Sequence, residues 1–126
     1  MNALVGLLWG VHSLHRRANA WFSETGPVVL GCAFTELSFI RVSMADKTIA
    51  ANFDDAEALL AAFARDLGRR YRFLDVLPPA RILRGGSVRS DKEVSDRYLC
   101  ELASINKARL ATLDAGISHA AATLIS

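Results

Sequence analysis

Cysteine is scarce in this chain, with only Cys32 and Cys100 among 126 residues. A disulfide framework needs more cysteines in a loop-rich chain. Both thiols lie in apolar stretches, so they are expected to be reduced and buried, as in a cytoplasmic protein. Proline is also rare, at three residues, and no linker, low-complexity tract or internal repeat is present. Residues 1–126 are therefore expected to form a single domain. No apolar run reaches the ~18 residues of a membrane span. The apolar opening Met1–Trp9 lacks a basic leader and a small-residue cleavage site, and it runs into His12, Ser13, His15, Arg16 and Arg17. A signal peptide is therefore not expected. Neither charge sign dominates: 15 basic and 13 acidic residues leave a net charge of +2. That balance permits a polyanionic partner without demanding one.

What is present is apolar material, 52% of the chain, with a mean hydropathy of +0.22. Disorder is excluded as the main state, and a real core is expected. Helices are expected over 2–9 and 12–22, the second with Leu14, Ala18, Trp21 and Phe22 at helical spacing and an end at Gly26-Pro27. The continuous apolar run 28–33 reads as a buried strand. Thr35 is a plausible N-cap for a helix over 36–42. Asp54 and Glu57 have capping-box spacing and open a helix with Ala56, Leu59, Leu60, Phe63 and Leu67 on one stripe, stopped by Gly68. Residues 71–76 are strand-like, and Gly85-Gly86 mark a loop. Ser90 and Glu93 form a second capping-box pattern before a helix over 91–105, and strands are expected over 109–114 and 121–125. Strands separated by helices predict an α/β sandwich with a mostly parallel sheet.

In an open parallel sheet, ligands gather at the carboxyl ends of the strands. Glu36 follows the strand over 28–33 by three residues. Asp114 closes the strand over 109–114. At about 100° per residue, Asp96 in the second turn of helix 91–105 shares an angular sector with Leu99, Cys100 and Ala103. Three acids therefore map to one end of the sheet, two of them near helix N-termini where the dipole favours negative charge. At about 5 Å and an effective dielectric of 20, each pair repels by roughly 3 kcal/mol. A shared proton, an arginine or a divalent cation must offset that. Oxygen donors without a His or Cys cluster point to Mg²⁺ or Mn²⁺. Such a cleft suits phosphodiester hydrolysis. Each acid taken alone is as well read as a helix cap. His12 and His15 are expected to be surface histidines, since no third nitrogen or sulfur ligand accompanies them. Trp21, Phe22, Phe34, Phe39 and Phe63 are read as core or dimer contacts. Arginine supplies much of the positive charge and suits bidentate phosphate contact, with Arg97 beside Asp96 the first to test.

Three segments carry a resemblance: Thr35-Glu36-Leu37-Ser38-Phe39-Ile40-Arg41-Val42, Glu93-Val94-Ser95-Asp96-Arg97-Tyr98-Leu99, and Arg109-Leu110-Ala111-Thr112-Leu113-Asp114-Ala115-Gly116-Ile117. In order and over nearly the whole chain, they resemble PIN-domain ribonucleases, and among these the VapC-type toxins of toxin–antitoxin pairs. Asn2-Ala3-Leu4 and 14–22 resemble that group's opening helices. The resemblance implies a three-layer α/β/α PIN-like fold and an endoribonuclease dependent on Mg²⁺ or Mn²⁺. It also implies RNA as substrate, a homodimer and a cognate antitoxin as partner. Glu36, Asp96 and Asp114 would be the catalytic and metal-site acids, with Thr112 and Ser95 as supporting hydroxyls. One departure stands out. The family begins with a central strand ending in Asp-x-Asn. Here Asn2 matches the Asn, but the strand and its Asp have no counterpart. Loss of a central strand leaves backbone groups of two neighbours unpaired, at about 1–3 kcal/mol for each buried, unsatisfied group. The alternative to an active nuclease is a truncated, inactive remnant that only dimerises or binds antitoxin.

Overall fold

In the computed structural model, residues 2–86, 88–117 and 119–125 are described. The chain divides into two compact units, one running to Asp75 and the other Val76–Ile125.

In the first unit, helices α1 (Asn2–Leu8) and α2 (His15–Thr25) precede strand β1 (Val29–Cys32), which runs straight into α3 (Ala33–Ala45). Helix α2 begins three residues later than the apolar spacing predicts. Tight turns occupy the intervening residues: the His12 N–H donates to the Trp9 carbonyl at 3.0 Å, and the His12 ring Nδ1 accepts the Leu14 N–H at 3.1 Å. Gly26 ends α2 as expected, in a left-handed conformation (φ 53°) with its N–H on the Phe22 carbonyl. Thr35 is not the N-cap of α3 but lies inside its first turn. There its Oγ1 accepts the Cys32 N–H and donates to the Cys32 carbonyl, both at 3.0 Å. Helix α4 (Phe53–Leu67) starts one residue before Asp54. Its cap is Asn52, whose Oδ1 accepts the Asp55 N–H at 2.7 Å. A 3-10 turn over Gly68–Arg70 then leads into strand β2 (Tyr71–Leu74). Strands β1 and β2 pair in parallel, with Val29 opposite Tyr71 and Cys32 opposite Leu74.

Val5, Phe39, Ile40, Ala56 and Leu60 form one buried cluster from α1, α3 and α4. Polar atoms within it are satisfied in series. The Trp9 indole N–H donates to Ser43 Oγ at 2.8 Å, and the Ser43 hydroxyl donates to the Phe39 carbonyl at 2.7 Å. Serine is tolerated in the last turn of α3 because its hydroxyl bonds back to the carbonyl four residues earlier.

In the second unit, a 3-10 turn over Ala80–Leu83 and another over Asp91–Glu93 precede helix α5 (Val94–Ile105), and strands β3 (Leu110–Thr112) and β4 (Ala122–Leu124) follow. The helix expected over 91–105 thus opens as a 3-10 turn. Its Ser90–Glu93 capping box is not made: Ser90 provides no side-chain cap, and Glu93 Oε2 instead accepts the Arg89 N–H at 3.0 Å. The Tyr98 hydroxyl fastens α5 to the Pro78 carbonyl at 2.5 Å. Strands β3 and β4 pair in parallel, with Thr112 opposite Leu124.

The α/β class and the parallel strands agree with expectation. Among the described residues, however, the strands form two separate two-stranded sheets and not one continuous sheet. No helix among the described residues is long and apolar enough to cross a membrane.

Candidate functional site

Glu36 sits in the first turn of α3, just after β1, and is half-buried. Its Oε2 accepts a 2.6 Å hydrogen bond from the Tyr71 hydroxyl. Burial first, and the bond to the Glu36 carboxylate second, push the Tyr71 hydroxyl's pKa well above the usual phenol value, so it remains a donor. This contact has a register-level cause. Alternate residues of a strand share a face. Tyr71 pairs with Val29, so its ring lies diagonally over Gly31, two residues further along β1 on the same face. A Cβ at Gly31 would come within 2.0 Å of the Tyr71 hydroxyl oxygen. Glycine leaves the space the phenol crosses to reach Glu36. The ring is braced from behind: Phe63 meets Tyr71 edge-on with centroids 6.2 Å apart, and Phe22 packs on Phe63 at 5.8 Å.

Asp96 falls in the first turn of α5, not the second, because α5 begins at Val94. It is half-buried, and Leu99 and Cys100 on the same sector are buried, as the helical angles predict. Burial pushes the Cys100 thiol up; Arg97 opposes that shift, and the negative charge of Asp96 adds to it. Both thiols are free and buried.

Asp114 is not the last residue of its strand. Strand β3 stops at Thr112, and Asp114 lies exposed in the turn beyond. Its Oδ1 accepts the Gly116 N–H at 2.8 Å, while its own N–H donates to Thr112 Oγ1 at 2.9 Å. Buried Thr112 therefore shapes the Asp114 turn. Ser95 is exposed.

Glu36 thus belongs to the first unit and Asp96 and Asp114 to the second. Among the described residues, no three His, Cys, Asp or Glu side chains gather into a metal-binding group. His12 and His15 are not free surface histidines. Both are half-buried, and His15 Nδ1 lies 2.9 Å from the Gly6 carbonyl oxygen.

Sequence reasoning missed two features. One is Tyr71, whose partner is 35 residues away. The other is a cavity of about 280 Å³ in the second unit, lined by Arg84, Gly85, Arg97, Glu101 and His119 among others. His119 Nδ1 accepts the Ala121 N–H at 2.9 Å, which leaves Nε2 to carry the ring proton and donate it to Glu101 Oε1 at 3.0 Å. In that tautomer His119 is neutral, and the two guanidiniums outweigh the one carboxylate at the cavity wall.

No protein-family model matches the chain, and no solved structure matches it. Two relatives do. Ribonuclease VapC38 of Mycobacterium tuberculosis (strain H37Rv) is 34% identical over 125 residues, spanning 93% of this chain and 84% of that protein. Ribonuclease VapC29 of Mycobacterium tuberculosis is 29% identical over 119 residues, spanning 94% of this chain and 85% of that protein.

Proposed function

The chain belongs to the VapC-type ribonucleases, and from that premise we propose that it hydrolyses RNA phosphodiester bonds as the toxin of a toxin–antitoxin pair, with Glu36, Asp96 and Asp114 holding Mg²⁺ or Mn²⁺. The relation to Ribonuclease VapC38 across 93% of the chain carries this reading. The donor chemistry fits the cation: three carboxylates, no thiolate or imidazole among them, are hard oxygen ligands. When bound, a divalent cation would neutralise phosphate charge and acidify a water. The residues have separate tasks. Glu36 and Asp96 lie in first helical turns, where the helix dipole favours negative charge. Asp114 is aimed by its bond to the Gly116 N–H. Arg84 and Arg97, which line one cavity, would grip a phosphate bidentately there. A protein nucleophile is not required. A homodimer and a cognate antitoxin belong to the same reading.

The test couples binding to chemistry. Mn²⁺ is expected to raise the melting temperature and to support RNA cleavage, and Asp96→Asn is expected to lose both. Thermal stability indifferent to Mn²⁺ in the parent chain, with no cleavage, would defeat the proposal.

A second reading, an inactive protein that only binds antitoxin or a second copy, is favoured by one observation: among the described residues each sheet contains just two strands. RNA cleavage at saturating Mn²⁺ separates the two readings. Cleavage by the parent chain that Asp96→Asn loses supports the nuclease, and antitoxin binding without any cleavage supports the second reading.

A further inference from the structure

We propose that Tyr71 is a positioning residue for the Glu36 carboxylate. By holding Oε2, it leaves Oε1 as the oxygen through which Glu36 takes a divalent cation. The inference rests on the reading of Glu36 as a cation-holding acid and adds to it a residue that none of the three acidic motifs contains.

Three observations carry it. The first is the bond itself, 2.6 Å from the Tyr71 hydroxyl to Glu36 Oε2, in the range of a charge-assisted O–H···O⁻ contact. The second is the space made for it. Gly31 lies under the phenol, and any larger side chain there would meet the hydroxyl oxygen at 2.0 Å. The third is the bracing of the ring. Phe63 contacts Tyr71 edge-on, Phe22 contacts Phe63, and the Arg70 guanidinium lies 5.5 Å over the Phe22 ring. Arg70 is itself tied to the Pro27 carbonyl through Nε at 3.3 Å and Nη2 at 3.2 Å. The hydroxyl is therefore delivered from a packed aromatic stack and not from a mobile surface chain.

The chemistry follows from what a phenol can do. An isolated glutamate has three side-chain torsions, and a cation must order them on binding. A neutral donor fixed on one oxygen removes part of that cost without removing the negative charge. Groups that orient metal ligands in this way typically change metal affinity or activity by 10–100-fold when removed. A purely structural tyrosine would instead affect unfolding and leave cation binding alone.

The test is Tyr71→Phe beside Glu36→Gln, with Mn²⁺ binding measured by calorimetry, melting temperature without metal, and RNA cleavage at saturating Mn²⁺. Phenylalanine keeps the ring against Phe63 and deletes only the hydroxyl. The expected result is about tenfold weaker Mn²⁺ binding, a lower kcat with KM for RNA unchanged, and little change in the metal-free melting temperature. Unaltered Mn²⁺ affinity in Tyr71→Phe, with Glu36→Gln impaired, overturns the positioning role alone. Unaltered Mn²⁺ affinity in Glu36→Gln, or no Mn²⁺ binding by the parent chain, overturns the assignment of Glu36 on which it stands.

Discussion

The two units of this chain fix their acidic residues in different ways. In the first, a dense apolar cluster carries the structure: Phe39 and Ala56 are 0% exposed and Val5 is 1% exposed. A stack of rings then reaches across β1 to hold Glu36 from 35 residues away. In the second unit, short strands are tied by polar contacts. The Tyr98 hydroxyl bonds the Pro78 carbonyl, Arg109 reaches Thr123 Oγ1 and the Ala122 carbonyl, and His119 pairs with Glu101. There Asp114 takes its orientation from groups only two residues away in sequence. A carboxylate set by tertiary packing is sensitive to distant core changes. One set by its own turn is not.

The largest effect that sharpens this contrast is Phe39→Ala. Removing a fully buried ring from the core cluster is expected to cost about 3–5 kcal/mol, because lost transfer energy adds to the cavity left behind. Urea unfolding measures it. A loss below about 1 kcal/mol would mean that the cluster collapses around the gap and is not the anchor of the first unit.

A smaller effect compares two helix starts, one capped by a side chain and one not. Asn52 accepts the Asp55 N–H at the start of α4, so Asn52→Ala is expected to cost about 1 kcal/mol. Ser90 caps nothing with its side chain, so Ser90→Ala should stay within about 0.5 kcal/mol of the parent. Equal losses in the two variants would erase the distinction. The same pair shows where sequence is a good guide and where it is not. Helix α4 was legible from its stripe of Ala56, Leu59, Leu60 and Phe63, because that periodicity is local. Its cap was not, because Asn52, Asp54 and Asp55 are chemically equivalent candidates and backbone geometry selects among them. The strand at 29–32 was legible from the apolar run 28–33, and 71–74 from a strand-like segment. That β1 and β2 pair in one sheet and β3 and β4 in another was not, since pairing is a non-local property. Of the candidate site, Glu36 lies at the helix start after β1 as expected. Asp96 is one turn earlier in its helix and Asp114 two residues past its strand, because local backbone geometry sets where α5 opens and β3 ends. Tyr71 was not legible, because only the Val29–Tyr71 register and the absent side chain of Gly31 bring it to Glu36.

The smallest effect concerns Asp46, at the C-terminal end of α3. The Thr48 hydroxyl donates to Asp46 Oδ1 at 2.6 Å and the Thr48 N–H at 2.9 Å, and these bonds to the ionised form hold the carboxyl below its ordinary value of 3.8. A carboxyl whose folded pKa is depressed contributes stability above the unfolded value, and that contribution fades as pH falls through the folded one. The stability difference between the parent and Asp46→Ala should therefore be constant from neutral pH down to about 4 and shrink below it. Following the urea midpoint of both proteins from pH 6 to about pH 2 measures it. A difference that widens in acid would mean that Asp46 is held by its protonated form. The Thr48 hydroxyl would then be accepting a hydrogen bond from the Asp46 carboxyl, and the turn would owe nothing to the aspartate's charge.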